Sequence, residues 1–345
     1  MTGRSRRHLT WINGCGARGR NIVHAISYTQ KSIGELAMAR NIRIALAAVS
    51  ALLFSTIAVP ASAAPLVSPS WLRQHLHDAN LVVLDVYDGN QRAIFTSGHI
   101  PGALFTDFEH DGWRTTVNGT PHVLPPIKQI EKVIGGFGID NNSQVVVVPG
   151  GRQRADFNAA TRVYWTFKVL GHDKVSILNG GDKAWFANES DPVARGATKA
   201  KPKTFVAYFR RNLLATRESV EKALKTHNVL LIDTRPPDQY EGLKKSHAVL
   251  KAGTLPGAVN VPAKQLEASD GTRLADAKTI DAMLAKAGVK SSGKQITFCN
   301  TGHLASGPWF VLHEVKGNKD VSMYDGSMAD WTRHPNLPVV KGSRS

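Results

Sequence analysis

Cysteine is nearly absent from this chain of 345 residues: there are two, Cys15 and Cys299. That scarcity excludes a disulfide framework. No Cys-x-x-Cys, His-Glu-x-x-His or glycine-rich phosphate loop occurs, which leaves no metal or nucleotide motif to follow. His75 and His77 stand two apart on an expected helix and so point to different faces, and no metal or other cofactor is expected. Acidic residues are short as well: 27 Asp and Glu face 43 Lys and Arg, for a formal net charge of +16. Long apolar runs are limited to one, near the N-terminus, which excludes a protein of many membrane spans.

That run belongs to residues 38–63, MARNIRIALAAVSALLFSTIAVPASA. Arg40 and Arg43 form a basic start, Ile44 to Val59 an apolar stretch short for a span, and Ala61-Ser62-Ala63 an A-x-A cleavage pattern. The expectation is a signal peptide cleaved after Ala63, a periplasmic or secreted location, and no stable membrane insertion. Residues 1–37 hold several arginines and no acid before Glu35, a composition that also suits a transit peptide. Because Met38 opens a complete signal peptide, 1–37 reads as a non-structural upstream extension.

Cys15 lies upstream of that cleavage site, so Cys299 is the single thiol of the exported chain. Its setting is QITFCNTGHLASGPWFVLHEV, residues 295–315. A short apolar run ends at Cys299, small and polar residues follow, and an apolar-periodic helix comes next. A thiol at a strand end, in a loop feeding a helix N-terminus, sits where backbone amides can favour a thiolate. The competing reading is a buried structural thiol, a frequent fate of free cysteine.

Lys199, Lys201, Lys203, Arg210 and Arg211 crowd the middle of the chain. Scattered lysines without interleaved aromatics do not suit a nucleic-acid module, whereas a small anionic ligand needs no such module. An internal repeat is plain. LVVLDVYD (81–88), TSGHIPGALF (96–105), QVVVVPGG (144–151) and VSILNGGDKAWF (175–186) recur, in the same order, as VLLIDTRP (229–236), KAGTLPGAVN (251–260), QITFCNTG (295–302) and VSMYDGSMADWT (321–332). Helical patterns fall between them: 68–78 against 216–227, and 157–172 against 306–318. Short strands alternating with helices predict two α/β units with mostly parallel sheets, 64–190 and 205–345, joined by a linker at 191–204 rich in Pro, Ala, Gly and Lys. Trp165, Trp185, Trp309 and Trp331 read as core. In the repeat alignment Cys299 falls opposite Pro149, which has neither a nucleophile nor an amide N–H. A core thiol has no reason to sit at the mouth of one repeat alone.

The chain resembles the tandem-domain rhodaneses, the thiosulfate and 3-mercaptopyruvate sulfurtransferases, over essentially all of 65–340. The matching pieces are LVSPSWL (66–72), SGHIPGALFTDFE (97–109), FKVLGHDKVSILNGG (167–181), FRRNLLAT (209–216) and YDGSMADW (324–331). The resemblance implies two rhodanese-like domains, the first catalytically silent and the second carrying the cysteine. It also implies ping-pong transfer of a sulfane sulfur from a small anionic donor, through a Cys299 persulfide, to a thiol, cyanide or a partner protein. A monomer is expected, with no nucleic-acid partner.

The sulfur-binding loop is expected to comprise Asn300, Thr301, Gly302, His303 and Leu304. Gly302 permits the positive φ of a cradle, and Asn300, Thr301 and Leu304 offer backbone amides. The thiosulfate enzymes often place Arg and Lys directly after the cysteine, and the mercaptopyruvate enzymes Gly-Ser-Gly-Val-Thr; Asn-Thr-Gly-His-Leu matches neither, so the donor stays open between them. His303 is either a charge near the sulfur or a solvated loop residue. Arg211 aligns with an arginine that the resemblance places in the active site on the anionic donor; the alternative is a surface arginine. Arg235 reads as a structural ion pair at a strand end. A cysteine phosphatase or arsenate reductase needs Cys-x5-Arg, and position 305 is Ala. A persulfide carrier serving a partner protein remains as the second reading.

Overall fold

The computed structural model describes residues 63–150, 154–269 and 271–343. Cys15, the leader and most of the expected cleavage site lie outside the described residues. The elements of the first repeat are β1 (Leu66–Val67), α1 (Pro69–His75), β2 (Leu81–Tyr87), α2 (Arg92–Ser97), β3 (Leu104–Asp107), β4 (Thr115–Val117), β5 (Thr120–Val123), α3 (Ile127–Gly136), β6 (Gln144–Pro149), α4 (Arg154–Val169), β7 (Val175–Leu178) and α5 (Gly181–Phe186). Those of the second are β8 (Leu214–Ala215), α6 (Arg217–Thr226), β9 (Leu230–Asp233), α7 (Pro237–Tyr240), β10 (Val259–Asn260), α8 (Ala277–Lys286), β11 (Gln295–Phe298), α9 (Ser306–Trp309), β12 (Val321–Tyr324) and α10 (Ser327–Trp331).

Both five-stranded sheets are parallel and share one strand order. The first runs β1-β7-β6-β2-β3 and the second β8-β12-β11-β9-β10. The apolar runs that read as strands are the central ones: Val145 to Val148 and Phe298 are fully buried, as parallel sheets covered on both faces require. Register confirms the repeat alignment residue by residue. Asp85 pairs with Val148, and Asp233 pairs with Phe298, so Pro149 and Cys299 occupy the same place one step later. All four expected core tryptophans are fully buried.

Two features differ from expectation. The segment after Cys299 makes a single α turn, α9, and then winds as a π-helix over Phe310–Val315. Pro308 lies inside this helix and removes one backbone donor, which suits wider winding just beyond it. The first repeat also carries a β-hairpin, β4–β5; it turns on Asn118 and Gly119, both at positive φ. The hairpin leans across onto the second repeat, where Thr120 donates to Asp330 at 3.2 Å and the Leu124 amide to Asp325 at 2.6 Å.

The helices that follow the two homologous strands, α4 and α9, pack against each other. Thr161 and Ser306 share a buried hydrogen bond of 2.8 Å, and Tyr164 meets the Phe310 ring edge-on at 4.9 Å. Residues 191–210 strap the first repeat: Ala194 bridges to His99, Lys203 donates to the Gly135 carbonyl, and Tyr208 to that of Leu170.

Candidate active site

Cys299 follows β11 directly, where the strand is closed off by Thr234: its amide and hydroxyl both donate to the Phe298 carbonyl, at 2.9 and 3.1 Å. The chain then turns through residues 299–305 as a loop held from beneath. The Ser327 hydroxyl accepts the Cys299 amide at 3.0 Å and the Gly302 amide at 3.1 Å, and donates to the Tyr324 carbonyl at 2.7 Å. The Met328 and Ala329 amides hold the carbonyls of Cys299 and Asn300. Among the described residues, the amides of Asn300, Thr301, Leu304 and Ala305 donate to no protein acceptor and so remain for a ligand or solvent.

Gly302 has φ +71, as its role in the loop predicts, and a second reason to be glycine. A Cβ there would lie 2.5 Å from the Arg162 guanidinium and 2.6 Å from the Asp325 carbonyl oxygen. Arg162, from α4 of the first repeat, is completely buried under the loop and ion-paired to Asp325 at 2.6 Å. Ser327 itself sits at φ +51, a strained value for a residue other than glycine.

Above the loop is a cavity of 440 Å³. Cys299, Asn300, Thr301, His303 and Leu304 line one side. Glu109, Arg114 and His122 of the first repeat and Ser246, His247 and Ala248 of the second close it. Cys299 is 1% exposed, so the thiol is reached only through this cavity. Asn300 is tied to Gln239 by its side-chain amide at 2.9 Å. The His303 ring packs on Phe108 with centroids 4.8 Å apart. Arg114 pairs with Glu109, and its guanidinium carbon stands 4.2 Å from the centre of the Phe108 ring. Burial presses the Arg114 and His122 side chains below their ordinary basicity, and each also feels the positive charge of an arginine: Arg162 for Arg114, and Arg114 for His122.

The structure does not bring Arg211 to this cavity. It opens a 3₁₀ turn, Arg211–Leu213, that turns Leu213 inward and leaves Arg211 exposed, away from the cavity wall. Its neighbour Arg210 pairs with Asp173 at 2.5 Å. Arg235 does make the expected structural ion pair: it holds Asp233 at 2.5 Å, both fully buried, and donates to the Gly253 carbonyl. The cations at the site are instead Arg114 and Arg162, which the sequence reading passed over. The Asn118-Gly119 turn between two short threonine- and valine-bearing segments, 115–117 and 120–123, was the available signal for the hairpin that Arg114 precedes and His122 belongs to. Among the described residues, no group of three His, Cys, Asp or Glu side chains is placed to hold a metal ion.

The model of the rhodanese-like domain matches twice, over residues 68–188 and 216–334. A Mycobacterium bovis protein named "Putative thiosulfate sulfurtransferase 1" is 32% identical over 292 residues, which is 81% of this chain and 98% of that one. "Sulfur carrier protein TtuD" of Thermus thermophilus is 29% identical over 80% of this chain and 96% of its own length. Among solved structures, the 3-mercaptopyruvate sulfurtransferase SseA of Escherichia coli superposes with a TM-score of 0.66 at 24% identity, covering 76% of this chain and 98% of that one, a likeness of fold. With both repeats matched by that model, and a relative 32% identical over 81% of the chain, the chain belongs to the family of rhodanese-like domain proteins.

Proposed function

We propose that the protein is a sulfurtransferase in which Cys299 carries the sulfur. The thiolate attacks the outer sulfur of a donor such as thiosulfate. A Cys299 S–S bond forms, the donor's S–S bond breaks, and its electron pair leaves on sulfite. An acceptor thiol or cyanide then attacks the terminal sulfur and restores the thiolate. The observation that carries this reading is the position of the sole described thiol: at a strand end, lining a cavity, beside loop amides with no protein acceptor. Amides converging on a negative terminal sulfur stabilise it without moving during the reaction. Incubation with thiosulfate should add about 32 Da, one sulfur atom, and cyanide should remove it as thiocyanate. Cys299→Ser should abolish both steps while keeping the fold; catalytic thiocyanate formation by that variant would refute the reading.

Delivery to a partner protein is the second reading, favoured by one observation. The segment 241–251 borders the cavity through Ser246–Ala248 and exposes Leu243 and Leu250 beside Lys244, Lys245 and Lys251. Competition between small thiols and candidate acceptor proteins for preloaded Cys299 separates the two.

Export completes the proposal. A chain cleaved after Ala63 keeps its first tertiary contact, because the Ser176 hydroxyl donates to the Ala64 carbonyl at 2.7 Å. N-terminal sequencing of protein from the producing cell should read from Ala64; a start before Met38 or full retention in the membrane would contradict it.

A further inference from the structure

We infer that the anionic end of the sulfur donor is held by Arg114, so that the repeat without a nucleophile supplies the substrate-binding charge for the repeat that has one. The inference rests on sulfur transfer at Cys299 and adds which residue selects the donor.

Arg114 lines the same cavity as Cys299, from the opposite repeat. Its side chain is only 5% exposed, and a guanidinium so buried needs its donors matched. One Nη pairs with Glu109, but the Nε–H is buried with no hydrogen-bond acceptor. A planar fork with an unspent donor, on the wall of the cavity that Cys299 also lines, is suited to an oxyanion such as a sulfonate or a carboxylate. Other groups suit an anion as well. His122 and His247 line the cavity with it and offer ring N–H donors, and the Arg162 guanidinium lies one layer below the loop. Glu109 is the single acid on the wall, and it is shared: Asp88 beside it is pushed up to about 6, by burial first and then by Glu109. The loop itself, residues 300–305, adds no arginine or lysine.

Arg114 is also fixed relative to Cys299. It directly precedes β4, whose hairpin is fastened to the second repeat by Thr120 on Asp330 and by the Leu124 amide on Asp325. Asp325 in turn holds Arg162 under Gly302. The donor therefore meets a preassembled pair, with a sulfur acceptor on one repeat and an anion holder on the other, and no closure is required.

The test separates the two half-reactions. Loading of Cys299 by thiosulfate and by 3-mercaptopyruvate is followed in single turnovers by intact mass, and discharge of the preloaded persulfide is followed with 2-mercaptoethanol, which has no oxyanion. Losing a charge-assisted contact lowers loading about tenfold to a hundredfold, so Arg114→Gln should lose that much with an unchanged melting temperature. Arg114→Lys, which keeps the charge and loses the fork, should recover part of the loss. Discharge should stay within about twofold for both variants, and Arg211→Ala should leave both half-reactions within about twofold. Sulfite, used as a binding probe, should bind Arg114→Gln about tenfold or more weakly by calorimetry, a readout independent of turnover. A loss with both donors means that one guanidinium receives either anion; a loss with thiosulfate alone places only the sulfonate there. Both outcomes support the assignment. A folded Arg114→Gln that loads at the wild-type rate, or one that loses loading and discharge equally, overturns it. A wild-type protein that gains no sulfur from either donor overturns instead the sulfur-transfer reading beneath it.

Discussion

Ser327 shows how much one side chain can hold. Its hydroxyl serves two loop amides and one carbonyl, and its backbone sits at φ +51 to reach them. Ser327→Ala leaves those buried groups without their partner, a cost of about 2–4 kcal/mol. The urea midpoint should fall with an unchanged slope, and sulfur loading should slow as the loop loosens. Ser327→Gly should be less destabilising than Ser327→Ala, because glycine relieves the positive φ; the reverse order would mean that the backbone at φ +51 carries no strain. Gly302→Ala should cost about 1–2 kcal/mol from the left-handed backbone alone. It should cost more in practice, because the new methyl meets Arg162 and the Asp325 backbone. A Gly302→Ala protein with wild-type stability and wild-type loading would show that the loop is not the rigid cradle described. At this scale Cys299 and Gly302 were legible, one by scarcity and one by the geometry a cradle needs. Ser327 was not, because it meets the Cys299 amide across 28 residues of sequence.

The same strand end is finished in two ways in the two repeats. After β9, Asp233 is met by Arg235, Thr254 and the Arg235 amide. After β2 the arginine's place is taken by Tyr87, whose hydroxyl donates to Asp182. Asp85 is then buried near Asp182 and Asp156, and burial first, then the Asp182 charge, holds its carboxyl well above the usual carboxylate range. Opposite predictions follow for the two ends. Arg235→Ala strands a buried carboxylate and should cost about 3–5 kcal/mol in denaturant unfolding; a loss below about 1 kcal/mol would mean that Asp233 finds water or another donor. Asp85 ionises near its ordinary value in the unfolded chain but resists ionisation in the folded one. Its contribution to stability is therefore complete below pH about 4 and is lost as pH rises toward the folded value. Asp85→Asn should be more stable than the native protein at pH 8, with the gap closing toward pH 4. A gap that grows on acidification would contradict the raised carboxyl.

Across the whole molecule, the repeats are joined by buried polar contacts as well as apolar ones. Arg162 meets Asp325, Asn158 meets Glu267 at 2.7 Å, Thr161 meets Ser306, and one apolar core runs through Trp113, Trp165, Trp309 and Phe310. The described residues fall within one compact unit rather than two. The chain from Ala64 onward should therefore unfold in a single calorimetric transition whose van't Hoff and calorimetric enthalpies agree. Two resolved transitions would mean that the interface adds little, and would also weaken the case for a site shared between repeats.

Periodicity alone determined the two α/β units and their mostly parallel sheets, because a strand buried on both faces must be apolar throughout, whereas the order of the strands came only with the structure. Repetition determined which half keeps a thiol at the strand end, since Pro149 and Cys299 stand at one position of one scaffold. The family was legible for the same reason, in loop motifs that keep their order along the chain. The placement of charge was not. Arg211 stood beside a recognised motif yet faces solvent, because a 3₁₀ turn sends Leu213 inward in its stead. Arg114 carried no motif and is buried across from the thiol, because a hairpin of one repeat is fastened to the other. A sequence records which residues are neighbours along the chain. Which cation faces the sulfur depended on how two sheets dock, and only the tertiary structure decided that.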